Sequence, residues 1–208
     1  SLHDALPIYL PFLEKKTTIP ILNMIEQTLI YIKKNFPQLS KIGLISTQAT
    51  KEKRLYHELF QRDSIEIIDV KPDTQDLIMK AIYLIKAGVD LNSEDFLINN
   101  NNFHRIGFQQ DIEYKSHSHK KIFAEPTLPN PKFIIETAIQ ELKRKGCTHI
   151  IFGCTELPLV IPYLKKDPKI CFIDPNNIIA KASVELLMKL ENQIEADNEN
   201  YITKRKYV

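Results

Sequence analysis

The chain has 208 residues, of which 43% are hydrophobic and 26% charged, a composition typical of an ordinary globular protein that can bury a core. Its net charge of +2 gives no reason to expect binding to nucleic acid or to a membrane. No apolar run has the length of a membrane span, and no charged region followed by an apolar one marks a secretory signal. The three cysteines have no paired spacing, which argues against a disulfide framework, so we expect a cytoplasmic protein.

Strand and helix patterns alternate along the chain. Helices are predicted over 9–18, 26–35, 51–61, 75–87, 132–145 and 176–190, and a short helix or turn over 159–165. Strands are predicted over 19–24, 42–46, 65–70, 148–152 and 170–174. Thr50 is the predicted N-cap of helix 51–61, and Asn176 or Asn177 that of helix 176–190. This alternation indicates an α/β protein with a mostly parallel sheet.

Residues 89–131 interrupt the alternation. Their helix signals are weak and they contain one candidate strand, 105–108, so we predict a long surface loop or a small excursion that acts as a lid or an oligomer contact. His117 and His119 have the spacing of metal ligands on a strand, but no acidic or thiol partner lies close in the sequence. Exposed histidines are therefore the preferred interpretation, and we predict no metal site.

The most informative stretch begins with the strand at 148–152. The strand stops at Gly153, which would let the backbone bend or approach a ligand closely. Cys154, Thr155 and Glu156 follow, at the end of a strand where α/β sheets bind ligands. The hydroxyl and backbone N–H of Thr155 suit a carboxylate. Because free cysteines are often simply buried, a structural role for Cys154 stands beside the reactive one.

Two further positions carry groups that fit an anion, and each has an ordinary structural interpretation as well. Thr47 follows the strand at 42–46, where its hydroxyl would contact a ligand or bond to nearby backbone. Lys86 lies in the last turn of the helix that ends before Gly88, where a cation commonly stays solvated.

Several stretches resemble, in the right order, the aspartate/glutamate racemase family. They are Ile19–Glu26, Ile42–Thr50 followed by Tyr56, Ile82–Gly88, Gly153–Pro158 and Ile173–Pro175. The first resembles the last strand of the family's first half, and Gly153–Pro158 resembles its second cysteine motif. The departure from the family is the long segment between Lys86 and Cys154.

The resemblance implies two similar Rossmann-like parallel-sheet halves facing across a cleft, with the first half incomplete in this chain. Residues 1–40 would be a remnant of that first half, and 1–8 are expected to be foreign, with a real but degenerate N-terminus as the alternative. Residues 41–172 would form the second half, including the excursion at 89–131. Residues 173–190 would be a closing helix that packs on the first half, followed by a frayed polar tail at 191–208.

The family racemises aspartate or glutamate without a cofactor or metal, using two cysteines on opposite sides of the α-carbon. The resemblance makes Cys154 one acid/base. It makes Glu156 the residue that orients the loop, and the predicted substrate-binding residues are Thr155, Thr47, Thr50, Lys86 and Glu156. The first cysteine would fall near Asp4, where residues 1–8 do not match the family pattern. We therefore expect the chain as given to be a poor racemase and the native gene to encode the missing start.

Other functions remain open. Related enzymes use one cysteine to decarboxylate or isomerise dicarboxylates, and a catalytically inactive α/β binding module is a further alternative. A nucleotide-binding module has no support, because a chain with five glycines shows no phosphate-binding glycine loop. The expected partners are a small amino acid or dicarboxylate and, since the family is often dimeric, a second copy of the chain.

Overall fold

The computed structural model describes residues 12–13, 15–93, 97–99 and 127–205. The strands of its main sheet are β1 Lys41–Ser46, β2 Glu66–Asp69, β5 His149–Gly153 and β6 Cys171–Ile173. They lie in the order β2-β1-β5-β6, and all are parallel. A separate antiparallel pair is formed by β3 Leu97–Asn99 and β4 Thr127–Pro129. The predicted α/β class with a parallel sheet is confirmed.

Helices cover both faces of this sheet. They are α1 Met24–Asn35, α2 Gln48–Glu52, α3 Leu55–Arg62, α4 Pro72–Lys86, α5 Pro131–Arg144, a 3₁₀ helix Leu157–Tyr163 and α6 Pro175–Arg205. Helices α4 and α5 pack on one face, and α1 and α3 pack on the other. No helix in the described residues is both long and apolar enough to cross a membrane.

The two-residue period of the strands explains the two cores. In β1, Ile42 and Leu44 face the α1 and α3 side, whereas Ile45 faces α4 and α5. In β5, Ile151 faces the first side, and Ile150 packs with α4 and α5. Because both faces are covered, these strands read in the sequence as continuous apolar runs.

The predicted strand at 19–24 is wrong. Residues 19–23 have no regular structure, Ile19 is 74% exposed, and α1 begins at Met24. Asn23 explains the start, since its side chain accepts a hydrogen bond from the Ile25 N–H at 3.0 Å and so caps the helix. Of the predicted helix 9–18, Phe12 and Leu13 are helical, whereas 15–18 are not.

Helix starts differ from the predictions at two sites. Thr47, not Thr50, is the N-cap of α2, because its hydroxyl accepts from the Thr50 N–H at 3.1 Å. Asp174, not Asn176 or Asn177, caps α6, because its carboxylate accepts from the Asn176 N–H at 2.9 Å. In both cases the cap is the last polar residue before the helix rather than one inside its first turn.

The chain between β1 and β2 was predicted as one helix at 51–61 but forms the two helices α2 and α3. Arg54, between them, has the left-handed φ of 53°, which interrupts the helix. The helix predicted at 159–165 begins earlier, at Leu157, and is a 3₁₀ helix. The candidate strand at 105–108 and the histidines of the excursion lie outside the described residues.

Helix α6 extends to Arg205, past the end predicted near Leu190, so the part of the tail up to Arg205 is helical. Residues 191–205 contain neither glycine nor proline, and an established helix therefore propagates through them at little cost. The first turns of α6 pack against α1 and against the core beneath it through Ile178. The predicted division into two halves stays a prediction.

A buried carboxylate joins α5 to the start of α4. Glu141 accepts hydrogen bonds from the Lys71 N–H and the Thr74 hydroxyl, both at 2.7 Å, and pairs with Lys145 at 2.8 Å. Burial opposes the charged form, but these three donors together hold the pKa of Glu141 below its ordinary value. The charge of Glu141 should therefore stabilise the fold.

We expect Glu141→Gln to lower the free energy of unfolding by about 1–3 kcal/mol at neutral pH, the usual cost of weakening bonds to a charged group. Because the folded pKa lies below the unfolded one, this contribution is present above the unfolded pKa and disappears as pH falls through the folded pKa. Urea unfolding of both proteins at neutral pH and near pH 4 would measure it. Glu185→Gln, on an exposed position of α6, is the control. An equal loss at both pH values would contradict the assignment.

Candidate active site

The candidate site lies where the order of the strands reverses. From β1 the chain continues to β2 on one side, whereas β5 lies on the other side. In this register Ser46 is level with Gly153, so Thr47 and Cys154 directly follow two paired residues. Ligands of open α/β sheets bind at such a reversal, beyond the carboxyl ends of the strands. The structure thus brings together two residues that the sequence analysis had selected separately.

Cys154 is 6% exposed, and its thiol donates to Glu156 Oε2 at 2.7 Å. Burial, and then the hydrogen bond to a negative carboxylate, raise the pKa of the Cys154 thiol to about 12. The thiol therefore carries its proton at neutral pH. In the structure as it stands, Cys154 is a proton donor rather than a base.

Glu156 contacts three groups with its two oxygens. Oε2 accepts from the Cys154 thiol and from the Thr155 hydroxyl, the latter at 2.9 Å, whereas Oε1 pairs with Lys86 Nζ at 3.1 Å. Burial opposes the charge, but these donors outweigh it, so the pKa of Glu156 lies below its ordinary value. Glu156 is an ionised carboxylate that links the thiol to the cation.

Lys86 is the last residue of α4, and α4 follows the carboxyl edge of the sheet. Three side chains of α4 contact this edge in turn. Gln75 donates to the Ser46 carbonyl at 2.9 Å, the Met79 sulfur accepts from the Gln48 N–H at 3.2 Å, and Lys86 reaches Glu156. These positions share one face of a helix because their spacings are four and seven residues. The fold of α4 therefore places the Lys86 charge beside the Cys154 loop.

Thr47 and Thr50 are both buried, with their hydroxyl oxygens 3.0 Å apart. The Thr47 hydroxyl also caps α2, so the local backbone bond that was the ordinary interpretation of Thr47 is present. Whether either hydroxyl also contacts a substrate stays a prediction.

Sequence reasoning missed two amide side chains that hold the site's backbone. Gln75 holds the Ser46 carbonyl, as described above, and Asn176 Nδ2 donates to the Thr155 carbonyl at 3.1 Å. Each amide comes from the first turns of a helix, α4 and α6. A signal was available for Gln75, a polar residue one and two turns before the apolar, buried Ile78 and Ile82 of the same helix. For Asn176 the Asp174-Pro175 pair marked the helix start, which would have put the amide inside the first turn.

Gly153 lies in a tightly packed position of the strand rather than at a bend. A Cβ at this position would lie 3.0 Å from Leu44 Cδ1 and 3.2 Å from both Ser46 Cβ and Tyr56 Cε2. The missing side chain thus lets β5 approach β1 and the ring of Tyr56. The close approach at Gly153, which was predicted to a ligand, is therefore to the protein's own side chains.

The other two cysteines lie at the opposite end of the strands. Cys171 begins β6 and pairs with His149, the first residue of β5, and Cys147 lies buried just before that strand. Burial raises the pKa of both thiols. In the part of the chain that the structure describes, no group of three histidine, cysteine, aspartate or glutamate side chains has the arrangement of a metal site.

No family model matches the sequence, but solved structures share its fold. A Yersinia pestis protein assigned to the Asp/Glu racemases has a TM-score of 0.60 and 20% identity over 88% of this chain and 63% of its own. An aspartate racemase homologue from Pyrococcus horikoshii OT3 has a TM-score of 0.56 and 16% identity, over 86% of this chain and 61% of its own. Glutamate racemase isoform RacE1 from Bacillus anthracis has a TM-score of 0.51 and 17% identity, over 92% of this chain and 56% of its own.

These likenesses define the α/β fold of the chain as the one found in Asp/Glu racemase structures, as the sequence resemblance predicted. The chain spans between 56% and 63% of the length of those proteins. At 16–20% identity the likeness shows the fold alone.

The thiol pKa gives a test of the geometry at Cys154. Glu156→Gln removes the negative charge that raises the pKa of Cys154, so iodoacetamide should alkylate the variant at least about tenfold faster at mildly alkaline pH, the effect of one pKa unit. Lys86→Met should slow alkylation, because the Lys86 charge lowers that pKa. Peptide mass spectrometry would follow each cysteine separately, with Cys171 as the internal control. Equal rates in wild type and Glu156→Gln would contradict the described contact.

Proposed function

We propose that this chain provides one face of the active site of an aspartate/glutamate racemase, acting on an acidic amino acid without a cofactor. The observation that carries the proposal is the Cys154 thiol at the strand-order reversal, joined through Glu156 to the Lys86 cation. The fold shared with Asp/Glu racemase structures supports the same assignment. The activity, the substrate and the assembly of the whole protein are parts of this proposal.

The chemistry follows from the state of the thiol. Racemisation requires one group to remove the α-proton and another to deliver a proton to the opposite face of the carbanion. Cys154 carries its proton, so it acts first as the donor: the S–H bond breaks, a C–H bond forms and a thiolate remains. In the reverse direction that thiolate removes the proton. Cysteine suits both steps because its proton affinity responds strongly to neighbouring charges.

Stabilisation of the carbanion must act through the substrate carboxylate, to which the negative charge delocalises. Lys86 is the nearest described cation to the Cys154 loop, with its Nζ 3.1 Å from Glu156. Backbone N–H groups at Thr155 and Thr47 and the Thr47 hydroxyl lie at the same sheet edge, whereas the Thr155 hydroxyl donates to Glu156. In this proposal Lys86 binds the substrate carboxylate, and these neutral donors complete the anion site.

Inversion of the α-carbon needs a second acid/base opposite Cys154. Cys147 and Cys171 do not supply it, because they lie at the amino ends of the strands. The family's first cysteine was expected near residue 4, outside the described residues. We propose that the second group comes from outside the described residues, either from another part of the whole protein or from a second copy of the chain.

A reaction that needs only one proton donor is the second candidate. Loss of CO2 from a malonate-type dicarboxylate leaves a carbanion that a single protonated thiol can quench. The protonated Cys154 favours this alternative, since the reaction requires no base on the opposite face.

Incubation of the chain with L-aspartate and with L-glutamate in D2O tests the proposal. NMR would follow loss of the α-proton signal, and chiral chromatography the appearance of the D-enantiomer. Because Cys154 carries its proton at neutral pH, we expect slow exchange through its small thiolate fraction, rising with pH and falling by about 100-fold or more in Cys154→Ala, the usual effect of losing an acid/base group. Cys171→Ala, at the far end of the strands, should leave the rate unchanged.

Exchange of the α-proton without formation of the D-enantiomer would show that the chain contains a single working base. Exchange that survives Cys154→Ala would contradict the role of Cys154. If neither amino acid exchanges, release of CO2 from methylmalonate, again compared between wild type and Cys154→Ala, decides whether the second candidate replaces the first.

A further inference from the structure

The Lys86 charge is already paired in the ligand-free protein. Its partner is Glu156 Oε1, at 3.1 Å, and Glu156 is itself ionised. An incoming carboxylate therefore meets a cation that holds another carboxylate. Whatever anion binds at Lys86 must take the place of Glu156 or share the cation with it.

Glu156 divides its two oxygens between two tasks. Oε1 pairs with Lys86, while Oε2 accepts hydrogen bonds from the Cys154 thiol and the Thr155 hydroxyl. The contact to Lys86 can therefore break without loss of the contact to the thiol. Asn176 holds the Thr155 carbonyl from α6, so the backbone of this loop keeps its position when Oε1 is released.

The exposure of the three side chains supports the same order of events. The Lys86 side chain is 29% exposed and that of Glu156 is 17% exposed, whereas Cys154 is 6% exposed. A ligand can thus reach the cation before it reaches the thiol. A partly exposed ion pair of this kind is weak, because water screens it and solvates both partners.

We propose that Glu156 is an internal competitor for the anionic group of the ligand: it holds Lys86 in the ligand-free site and yields that cation to an incoming carboxylate. The proposal rests on the proposed function in taking Lys86 as the anion-binding residue. It adds that Glu156 sets how tightly the site binds a carboxylate. It also explains how the site stays electrically neutral beside a buried thiol when no substrate is bound.

Release of Lys86 has a consequence for the thiol. The Lys86 charge favours the thiolate, whereas Glu156 disfavours it. When the cation moves to the ligand, Cys154 keeps the contact to Glu156 and loses that support. A bound carboxylate should therefore hold Cys154 in its protonated form, ready to donate.

The sign of a single substitution separates this role from a purely structural one. If Glu156 only orients the loop, Glu156→Gln disturbs the site and weakens the binding of anions. If Glu156 competes for Lys86, the same change leaves the cation without its internal partner and strengthens binding. Glutamine keeps the shape of glutamate and an oxygen acceptor, so the difference between the two proteins is mainly the charge.

Isothermal titration calorimetry with succinate, at neutral pH and low ionic strength, measures this difference. We expect Glu156→Gln to bind succinate about tenfold more tightly than wild type. Lys86→Met and the double variant should show no saturable binding, and the neutral diamide succinamide should bind to none of the proteins. Glu136→Gln, which alters a carboxylate that accepts from the Lys165 N–H instead, should bind as wild type does.

Equal or weaker binding by a folded Glu156→Gln protein would overturn the proposal, as would tight binding by Lys86→Met. If Glu156→Gln fails to fold, the wild-type protein provides a second test. The carboxyl carbon of Glu156, followed by NMR, should titrate at higher pH with saturating succinate, because Lys86 no longer stabilises its charge. An unchanged titration, or the absence of saturable succinate binding, would also overturn it.

The outcome is distinguishable from that of the proposed function. Succinate has no amino group and is not racemised, so its binding reports on Lys86 and Glu156 alone. Tighter binding by Glu156→Gln together with no α-proton exchange would support the internal competitor and reject the racemase. Exchange that depends on Cys154, together with unchanged succinate affinity in Glu156→Gln, would support the racemase and reject the internal competitor.

Discussion

The close pairing of β1 with β5 is the constraint on which the site depends. Gly153 has no side chain, and a Cβ there would make tight contacts with Leu44, Ser46 and the ring of Tyr56. With the two strands in this register, the residues that follow them emerge side by side at one edge of the sheet. The strand order also reverses there, and open α/β sheets bind ligands at such a reversal.

The charges of Glu156 and Lys86 balance one another in the site. A buried thiol alone would lose its proton only with difficulty, and a buried carboxylate alone would be costly. Glu156 and Lys86 compensate one another, and the thiol and a hydroxyl satisfy the remaining oxygen. The resulting group is neutral, partly exposed and held by contacts that can be exchanged. Such an arrangement suits a site that must accept an anion and then handle a proton.

Two amide side chains anchor the backbone around this group. The amides of Gln75 and Asn176 hold the carbonyls of Ser46 and Thr155, one on each side of the strand-order reversal. Both amides come from helices that begin near this edge. These bonds anchor the backbone from which the side chains of Glu156 and Thr47 extend.

Much of this could be read from the sequence because it is encoded locally. The apolar runs of β1 and β5, the helical spacing of α4 and α5, and the break at Gly153 before Cys154 follow from residue periodicity and backbone preference. The errors were local as well: the strand at 19–24 was predicted from its apolar residues, although it pairs with none of the described strands and Asn23 starts a helix. Helix α6 extends beyond the residues whose apolar spacing predicted it, because 191–205 contain no glycine or proline that would end a helix.

The sequence by itself determined the α/β class and the placement of Cys154 at the end of a buried strand. Only the tertiary structure decided that Glu156 joins this thiol to Lys86, and that Gln75 and Asn176 hold the backbone on either side. The physical reason is that periodicity describes how a segment meets its nearest surroundings. Contacts between distant segments depend instead on strand order, on register and on the direction in which α4 follows the sheet edge. No local sequence pattern specifies these three features.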